Sequence, residues 1–484
     1  MTLAIQSGPS RPCVCGSAAT LPVRRGAALG RSSPGEIRLA LWASAAGALV
    51  VGAVAATALH RPAAAARGEL AALAPAPAAL RYRYPLLPAS DARAEAAEAI
   101  PALEARVRAM PSPFDDAALA ELYFRRAQDD GDQADYQLAE ARARRSLDAL
   151  ASPNPAVLTL AKLADARHDF RAAIELARRH TGRSAGARII IATAHLALGE
   201  LAEADAAAGA ALAIKPDTGG YLMRALVRQA QGRDAEAEAD FAHAARAEEP
   251  GDLQGAARLR ALWGRFLIRR GEAAGAARVL DEALRIAPGF ALATAMTGEL
   301  ALRTGRPADA ARRFEQAFIA SRQVRYLIDQ ARAAELAGGA LAGLAGALRD
   351  QVEHVVRGEL GAGGLGHRLD LAEVLTDRGR PADLAEAVAL AREEVARRGS
   401  YDARFQLARA LARSGGRDEA ERQVQAALAS GAREAPLYEL AARLASRRGD
   451  PATAALYTRL ADDIDPEALD RHRSAWRGLG LELP

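Results

Sequence analysis

Cysteine, lysine and aromatic rings are what this 484-residue chain has least of. Cys13 and Cys15 are the only cysteines. No disulfide can therefore hold anything downstream of them, and the chain cannot supply the four-cysteine set of a structural zinc site. Lys162 and Lys215 are the only lysines, so arginine carries almost all the positive charge. That bias reads as the codon usage of a GC-rich, bacterial genome rather than as chemistry. Phe, Trp and Tyr make up 4% of the residues although half the chain is hydrophobic. Such a core has to be built from alanine and leucine, which suits helices whose axes approach closely. The eight histidines are scattered, with no pair four apart on one helix, so no metal is expected.

Charge is informative once divided. The first 67 residues hold seven arginines and one acid, Glu36, so a whole-chain charge of +4 leaves the remainder at −2. A solenoid that grips nucleic acid needs a basic surface, and the totals beyond the N-terminal segment do not provide one. No nucleic-acid partner is predicted.

What the chain does have is repetition. In "IATAHLALGELAEADAAAGAALAIKPDT", Ile191 to Thr218, apolar residues recur at helical spacing on both sides of Gly199, and Pro216 stops the second run. This is a helix, a left-handed glycine turn and an antiparallel helix. The same frame starts at Asn154, Ala185, Thr218, Ala257, Ala291, Val324, Leu365, Tyr401 and Ala435, at steps of 31 to 41 residues. Its fifteenth position is His168 and then Gly199, Gly232, Gly271, Gly305, Gly338, Gly379, Gly415 and Gly449. Its eighth position is always alanine or glycine, from Ala161 to Ala442. Its twentieth is small except at Leu384. An earlier, degenerate copy runs from Asp115 with a longer turn around Gly131. One such hairpin cannot bury its own apolar face, so the copies must stack. The fold class is all-α, an α-solenoid of stacked helix-turn-helix units, with the register least secure between 324 and 400.

The frame resembles the tetratricopeptide repeat, with a period near 34, small residues at positions eight and twenty, and proline near thirty-two at Pro216, Pro288 and Pro466. The resemblance covers roughly Asp115 to Pro466, and the large aromatic residue of the first helix is mostly missing. It implies a concave groove lined by the first helix of each hairpin, which would hold a protein or peptide partner. Carried onto this chain, the groove positions are Ile190, Thr193, Leu222, Met223 and Leu226, followed by Arg258, Arg265, Glu299, Arg325, Asp329 and Arg332, so the groove runs from apolar to charged. The lysine and asparagine clamp that some members use for a C-terminal carboxylate is replaced here by Leu158 with Lys162, Ile189 with Thr193, and Leu222 with Leu226.

Two short motifs look catalytic in isolation. "GRSAG" around Ser184 matches a nucleophile elbow, but that chemistry needs a strand before the serine and here helices lie on both sides. "GAGGLG", Gly361 to Gly366, matches a dinucleotide fingerprint but follows a helical run. Both read as turns between repeats. No catalytic, cofactor-binding or metal-binding residue is assigned, and no enzyme is predicted.

The chain divides into a basic segment (1–36), a membrane-spanning or signal-anchor helix (37–60), a Pro/Ala-rich linker (61–90) and the solenoid (91–484). The 21 uncharged residues from Leu39 to Leu59 would make a helix of about 32 Å, near the hydrocarbon thickness of a bilayer. More arginines precede this run than follow it, which predicts a cytoplasmic N-terminus and repeats in the periplasm, anchored in the inner membrane, or secreted after cleavage near "PAAAARG". In the linker, "RYRY", Arg81 to Tyr84, reads as an ordinary extended segment, with contact at a lipid surface the alternative. The expected function is a binding scaffold or assembly factor at the cell envelope. The alternative is a dedicated accessory subunit of a secretion, cell-wall or cytochrome-maturation complex.

Overall fold

The computed structural model describes residues 80–86, 92–151, 154–180, 184–361 and 367–465. The basic segment with Cys13 and Cys15, the run from Leu39 to Leu59, the "GAGGLG" loop beyond Gly361 and Pro466 lie outside the described residues. No described helix is long and apolar enough to cross a membrane.

Every regular element among the described residues is helical. Helix α1 (Ala92–Ala109) precedes ten antiparallel pairs. These are α2 (Pro113–Asp130) with α3 (Gln133–Ala149), α4 (Ala156–Ala166) with α5 (Phe170–Arg178), and α6 (Ala185–Ala197) with α7 (Leu201–Ile214). Next come α8 (Thr218–Ala230) with α9 (Asp234–Arg246), α10 (Leu253–Arg269) with α11 (Ala273–Ile286), and α12 (Ala291–Arg303) with α13 (Pro307–Ser321). Helix α14 (Val324–Ala337) pairs with α16 (Leu344–Gly361) through the short α15 (Gly339–Ala342). The last three pairs are α17 (Arg368–Arg378) with α18 (Pro381–Arg398), α19 (Tyr401–Ser414) with α20 (Arg417–Leu428), and α21 (Ala435–Arg447) with α22 (Pro451–Ile464).

Local chemistry sets these boundaries. All nine residues at the fifteenth position have positive φ, from 57° at His168 to 93° at Gly415. Glycine occupies eight of them because it alone meets no Cβ penalty there. Some of the helix starts are fixed by side-chain caps. Asp217 Oδ1 accepts from Gly220 N–H at 2.9 Å and Asp450 Oδ1 from Thr453 N–H at 3.0 Å. Ser184 plays the same part for α6, its Oγ accepting from Ala187 N–H. The serine of "GRSAG" is thus a helix cap, and the described element before it is helix α5.

The small residues at position eight are the contact between paired helices, and all nine are buried. A Cβ on Gly264 would stand 2.7 Å from Leu280, and one on Gly298 would stand 3.1 Å from Phe314. Position twenty is likewise buried except at Gly343, which is exposed. There the α15 turn displaces the register, and Ala345, two residues on, is the small buried residue. Layered on this frame are clusters of buried side chains, the largest aromatic one built on Phe241, Trp263 and Phe266.

Stacked repeats contact mainly their neighbours, but this chain also coils back on itself. The turn at Gly131 lies against Ser321 and Arg322, and Arg398 stands over the Phe170 ring at 5.9 Å. Arg433 N–H donates to Ala230 O at 3.2 Å, with its side chain against the Gly232 turn. Arg303 reaches Asp465 through Nη1 at 2.6 Å, with both side chains under 10% exposed. Turns within the early hairpins therefore rest on turns between the late ones. Part of the expected linker is described as well. Residues 80–86 lie on the stack, with Leu80 among Phe241, Trp263 and Leu280, because alternate side chains of the segment are apolar or aromatic and find a gap beside α10.

Candidate functional site

Position nine of successive first helices sets a row of side chains, Thr193, Leu226, Arg265, Glu299, Arg332, Glu373, Arg409 and Arg443. Helical spacing makes this row inevitable once the small residues of position eight face the paired helix. The structure divides it into three parts.

The apolar end is mostly core. Ile190 and Met223 are 9% and 5% exposed and pack among Ile174, Ala194 and Val227. They offer little surface to a ligand, because they pack against the neighbouring helices. Thr193 is half-buried, its Oγ1 donating to Ile189 O at 3.0 Å and lying 3.3 Å from Met223 Sδ. Leu222 and Leu226 are half-buried at the edge of the aromatic cluster and keep an accessible face.

The middle is charged and unsatisfied. Arg265 and Glu299 are half-buried, and among the described residues neither makes a hydrogen bond or an ion pair. Burial, helped by the adjacent Arg269, pushes the Arg265 guanidinium down to about 10. Arg258 is exposed, 6.0 Å from the centre of the Phe290 ring. Both Arg258 and Phe290 line a cavity of about 340 Å³ together with Gln128, Gln254, Gln323 and Tyr326. Burial raises the Tyr326 phenol to about 12, so this cavity presents neutral polar groups and one arginine.

The far end satisfies itself. Arg325 holds Asp329 Oδ1 at 2.7 Å and Glu373 Oε2 at 2.8 Å. Arg332 pairs with Glu373 and with Asp377 Oδ2 at 3.1 Å. Arg409 reaches the other Asp377 oxygen at 2.8 Å, and Gln406 Nε2 donates to Glu373 at 3.0 Å. Glu373 sits at the centre, and burial that would raise it is overcome by Arg325, Arg332 and Arg409, which hold it well below the usual carboxylate range. Arg325, Asp329 and Arg332, three of the sequence-derived groove positions, thus belong to one network in which Arg325 pairs with Asp329 and both arginines pair with Glu373. Asp377 and Arg269 belong to the same face and occupy position thirteen, which the repeat frame marks. Glu434, which holds Arg269, comes from a turn of a distant hairpin, and no local pattern points to it.

Among the described residues no three His, Cys, Asp or Glu side chains gather so as to hold a metal ion. His367 Nδ1 pairs with Glu359 Oε2 at 2.6 Å, flanking the loop after Gly361. Glu353 pairs with Arg357 and Arg378 rather than with His354.

No family model and no curated protein matches the chain. It is similar to solved structures of helical-repeat proteins. A human IFIT1 dimer with PPP-AAAA is 15% identical with a TM-score of 0.43, covering 76% of this chain and 86% of that one. Yeast Tom70 is 12% identical with a TM-score of 0.37, covering 80% and 92%. A tetratricopeptide repeat protein of Parabacteroides merdae is 17% identical with a TM-score of 0.34, covering 49% and 92%. At such identities and scores the repeat is assigned on the chain's own geometry. Nine positive-φ turns in register and a buried small residue at position eight of each repeat give the chain the stacked helical hairpins that its resemblance to the tetratricopeptide repeat implies.

Proposed function

We propose that the chain is a non-enzymatic scaffold that binds an extended segment of a protein partner along the inner helices, centred on Arg265 and Glu299. One observation carries this reading. Along a face where Arg325, Arg332, Glu373, Asp377 and Arg409 neutralise one another, Arg265 and Glu299 make no hydrogen bond or ion pair among the described residues, and Arg265 feels Glu299 and Glu434 only at longer range. A recessed guanidinium without a hydrogen-bonded carboxylate is costly, and a ligand acid beside it removes that cost. Leu222 and Leu226 supply an apolar flank, and the cavity beside Phe290 accepts a polar side chain. The partner is accordingly a peptide with an acid close to an apolar residue. Placement at the cell envelope rests on the uncharged run from Leu39 to Leu59 and the arginines before it. A role as a dedicated subunit of an envelope assembly machine is the narrower form of the same proposal.

The test is recovery of partners by the full chain from a membrane extract with and without Arg265→Ala plus Glu299→Ala. Loss of a specific partner at unchanged helical content supports the site. Undiminished recovery overturns it. A fusion reporter at the C-terminus tests the location, and a cytoplasmic signal removes the envelope from the proposal.

A further inference from the structure

The segment from Leu80 to Tyr84 is bound the way a peptide is bound. Its side chains alternate, with Leu80 and Tyr82 buried, Tyr84 half-buried, and Arg81 and Arg83 exposed, Arg83 Nη2 donating to Arg246 O at 2.5 Å. Side chains of the stack read its main chain from both sides. Arg260 Nε donates to Leu80 O at 2.8 Å, and Tyr82 N–H donates to Glu282 Oε1 at 2.8 Å. The two phenols are read as well. Tyr82 OH donates to Glu249 O at 3.2 Å and accepts from Gly251 N–H at 3.1 Å, while Tyr84 OH donates to Glu248 O at 3.0 Å. The rings meet edge to face with centroids 5.5 Å apart.

The receptor side is built for this. The connection between α9 and α10, residues 247–252, supplies three of those main-chain groups, and it falls in a repeat five residues longer than the 34-residue period. Beneath it Arg260 and Glu248 form an ion pair with both side chains at most 2% exposed. With the cleft empty, Arg260 Nε would lose its acceptor in a buried place. The cleft is therefore poor when vacant and good when filled by an extended segment, and the five residues now in it come from about 160 to 200 positions away in the sequence.

We infer that the cleft formed by α9, α10 and α11 is a second peptide-recognition site, distinct from the inner helix row. It takes a partner segment of the pattern Leu-x-Tyr-x-Tyr, and residues 80–84 are its resident occupant in cis. Specificity comes from the apolar pocket around Trp263 for the first residue and from main-chain acceptors for the two phenols. A partner carrying the same pattern competes with the resident segment, so occupancy of the cleft reports whether the upstream chain is docked. This inference does not depend on the role proposed for Arg265 and Glu299.

The experiment starts from the full chain with a protease site inserted between residues 87 and 91, cleaved after folding in mild detergent. The fragment upstream of the cut is expected to stay bound through gel filtration and to be displaced by excess synthetic peptide 78–86. The same peptide, fluorescein-labelled, is expected to bind the emptied stack saturably. Replacing both tyrosines of the peptide by alanine should weaken binding at least tenfold, and Glu282→Gln in the stack several-fold at unchanged helical content. Immediate separation of the cleaved fragment, failure of the peptide to displace it, or equal binding of the tyrosine-free peptide would each overturn the inference. A cleaved or uncleaved sample eluting as a dimer that exchanges labelled copies would overturn it in favour of a second copy of this chain as the natural occupant.

Discussion

Arg269 and Glu434, 165 residues apart in sequence, face one another so that one guanidinium nitrogen donates to both carboxylate oxygens, at 2.9 and 3.0 Å. The pair joins the end of α10 to the start of α21, and Arg303 with Asp465 does the same one repeat further on. These contacts hold the late hairpins against the early ones. Glu434→Ala is expected to cost about 1 kcal/mol, since Arg269 is 38% exposed and partly screened. Asp465→Ala should cost about 3 kcal/mol, because it removes one side of an ion pair whose side chains are 7% and 9% exposed. Small-angle scattering of the double variant should show a larger radius of gyration at unchanged helical content. An unchanged radius would mean the remaining turn contacts suffice.

Glu373 is the shared anion of three arginines. Glu373→Gln keeps the shape and removes the charge, and is expected to destabilise by about 2–4 kcal/mol in urea titrations, because Arg325, Arg332 and Arg409 then repel. Its carboxyl is held below the ordinary value of 4.5, so its contribution is complete above that pH and is lost only as the pH falls towards the lowered folded value. The wild type should thus lose its advantage over the variant in strong acid and keep it at neutral pH.

Glu238 behaves in the opposite sense. Burial raises it from 4.5 to about 7 although Trp263 Nε1 donates to Oε2 at 2.8 Å, and Oε1 has no partner. A carboxyl raised on folding costs nothing below its unfolded value, and its penalty grows as the pH rises through the folded one. Glu238→Gln retains an acceptor for Trp263 and removes the buried charge. It should stabilise the chain by on the order of 2–3 kcal/mol at pH 8 and by almost nothing at pH 4. Thermal melts at the two pH values decide it, and an equal gain at both would refute a titration effect.

Two glycines should fail for different reasons. Gly264→Ala places a methyl 2.7 Å from Leu280 in a filled core, and overpacking exceeds the gain in helix propensity, for a net loss of about 1–2 kcal/mol. Gly305→Ala meets nothing within 4 Å but must hold φ at 71°, which costs about 1 kcal/mol. Adding Leu280→Val should rescue part of the first loss and none of the second, as read by denaturant midpoints.

The hairpins were legible because their chemistry is local. A left-handed turn asks for glycine at one position and a helix contact asks for a small residue at another, and both demands repeat in the one-dimensional string. Even His168 keeps φ at 57° where glycine would be expected, with its ring stacked 5.6 Å from Phe170. Legibility failed first at Gly343, where the α15 turn moved the buried small residue to Ala345. It failed next in the groove. Position alone places Ile190 and Met223 on the inner face, but whether a side chain there is covered depends on how closely the next hairpin approaches. It failed altogether for Tyr82 and Glu434, whose partners lie 160 residues or more away and leave no periodic trace.

The turn-on-turn contacts bear on how the chain comes apart. A linear array frays from either end, losing a terminal unit for the loss of one interface, and its breakdown is graded. Here the last hairpin also braces two hairpins from the middle, through Arg270 to Ile464 O and Arg303 to Asp465. Peeling it away uncovers the ends of α10 and α12 at the same moment. Unfolding that begins at the last described hairpin is thereby coupled to the centre, and protease nicking or deuterium uptake there should appear together with exposure of residues 162 and 194 positions earlier, as one cooperative event.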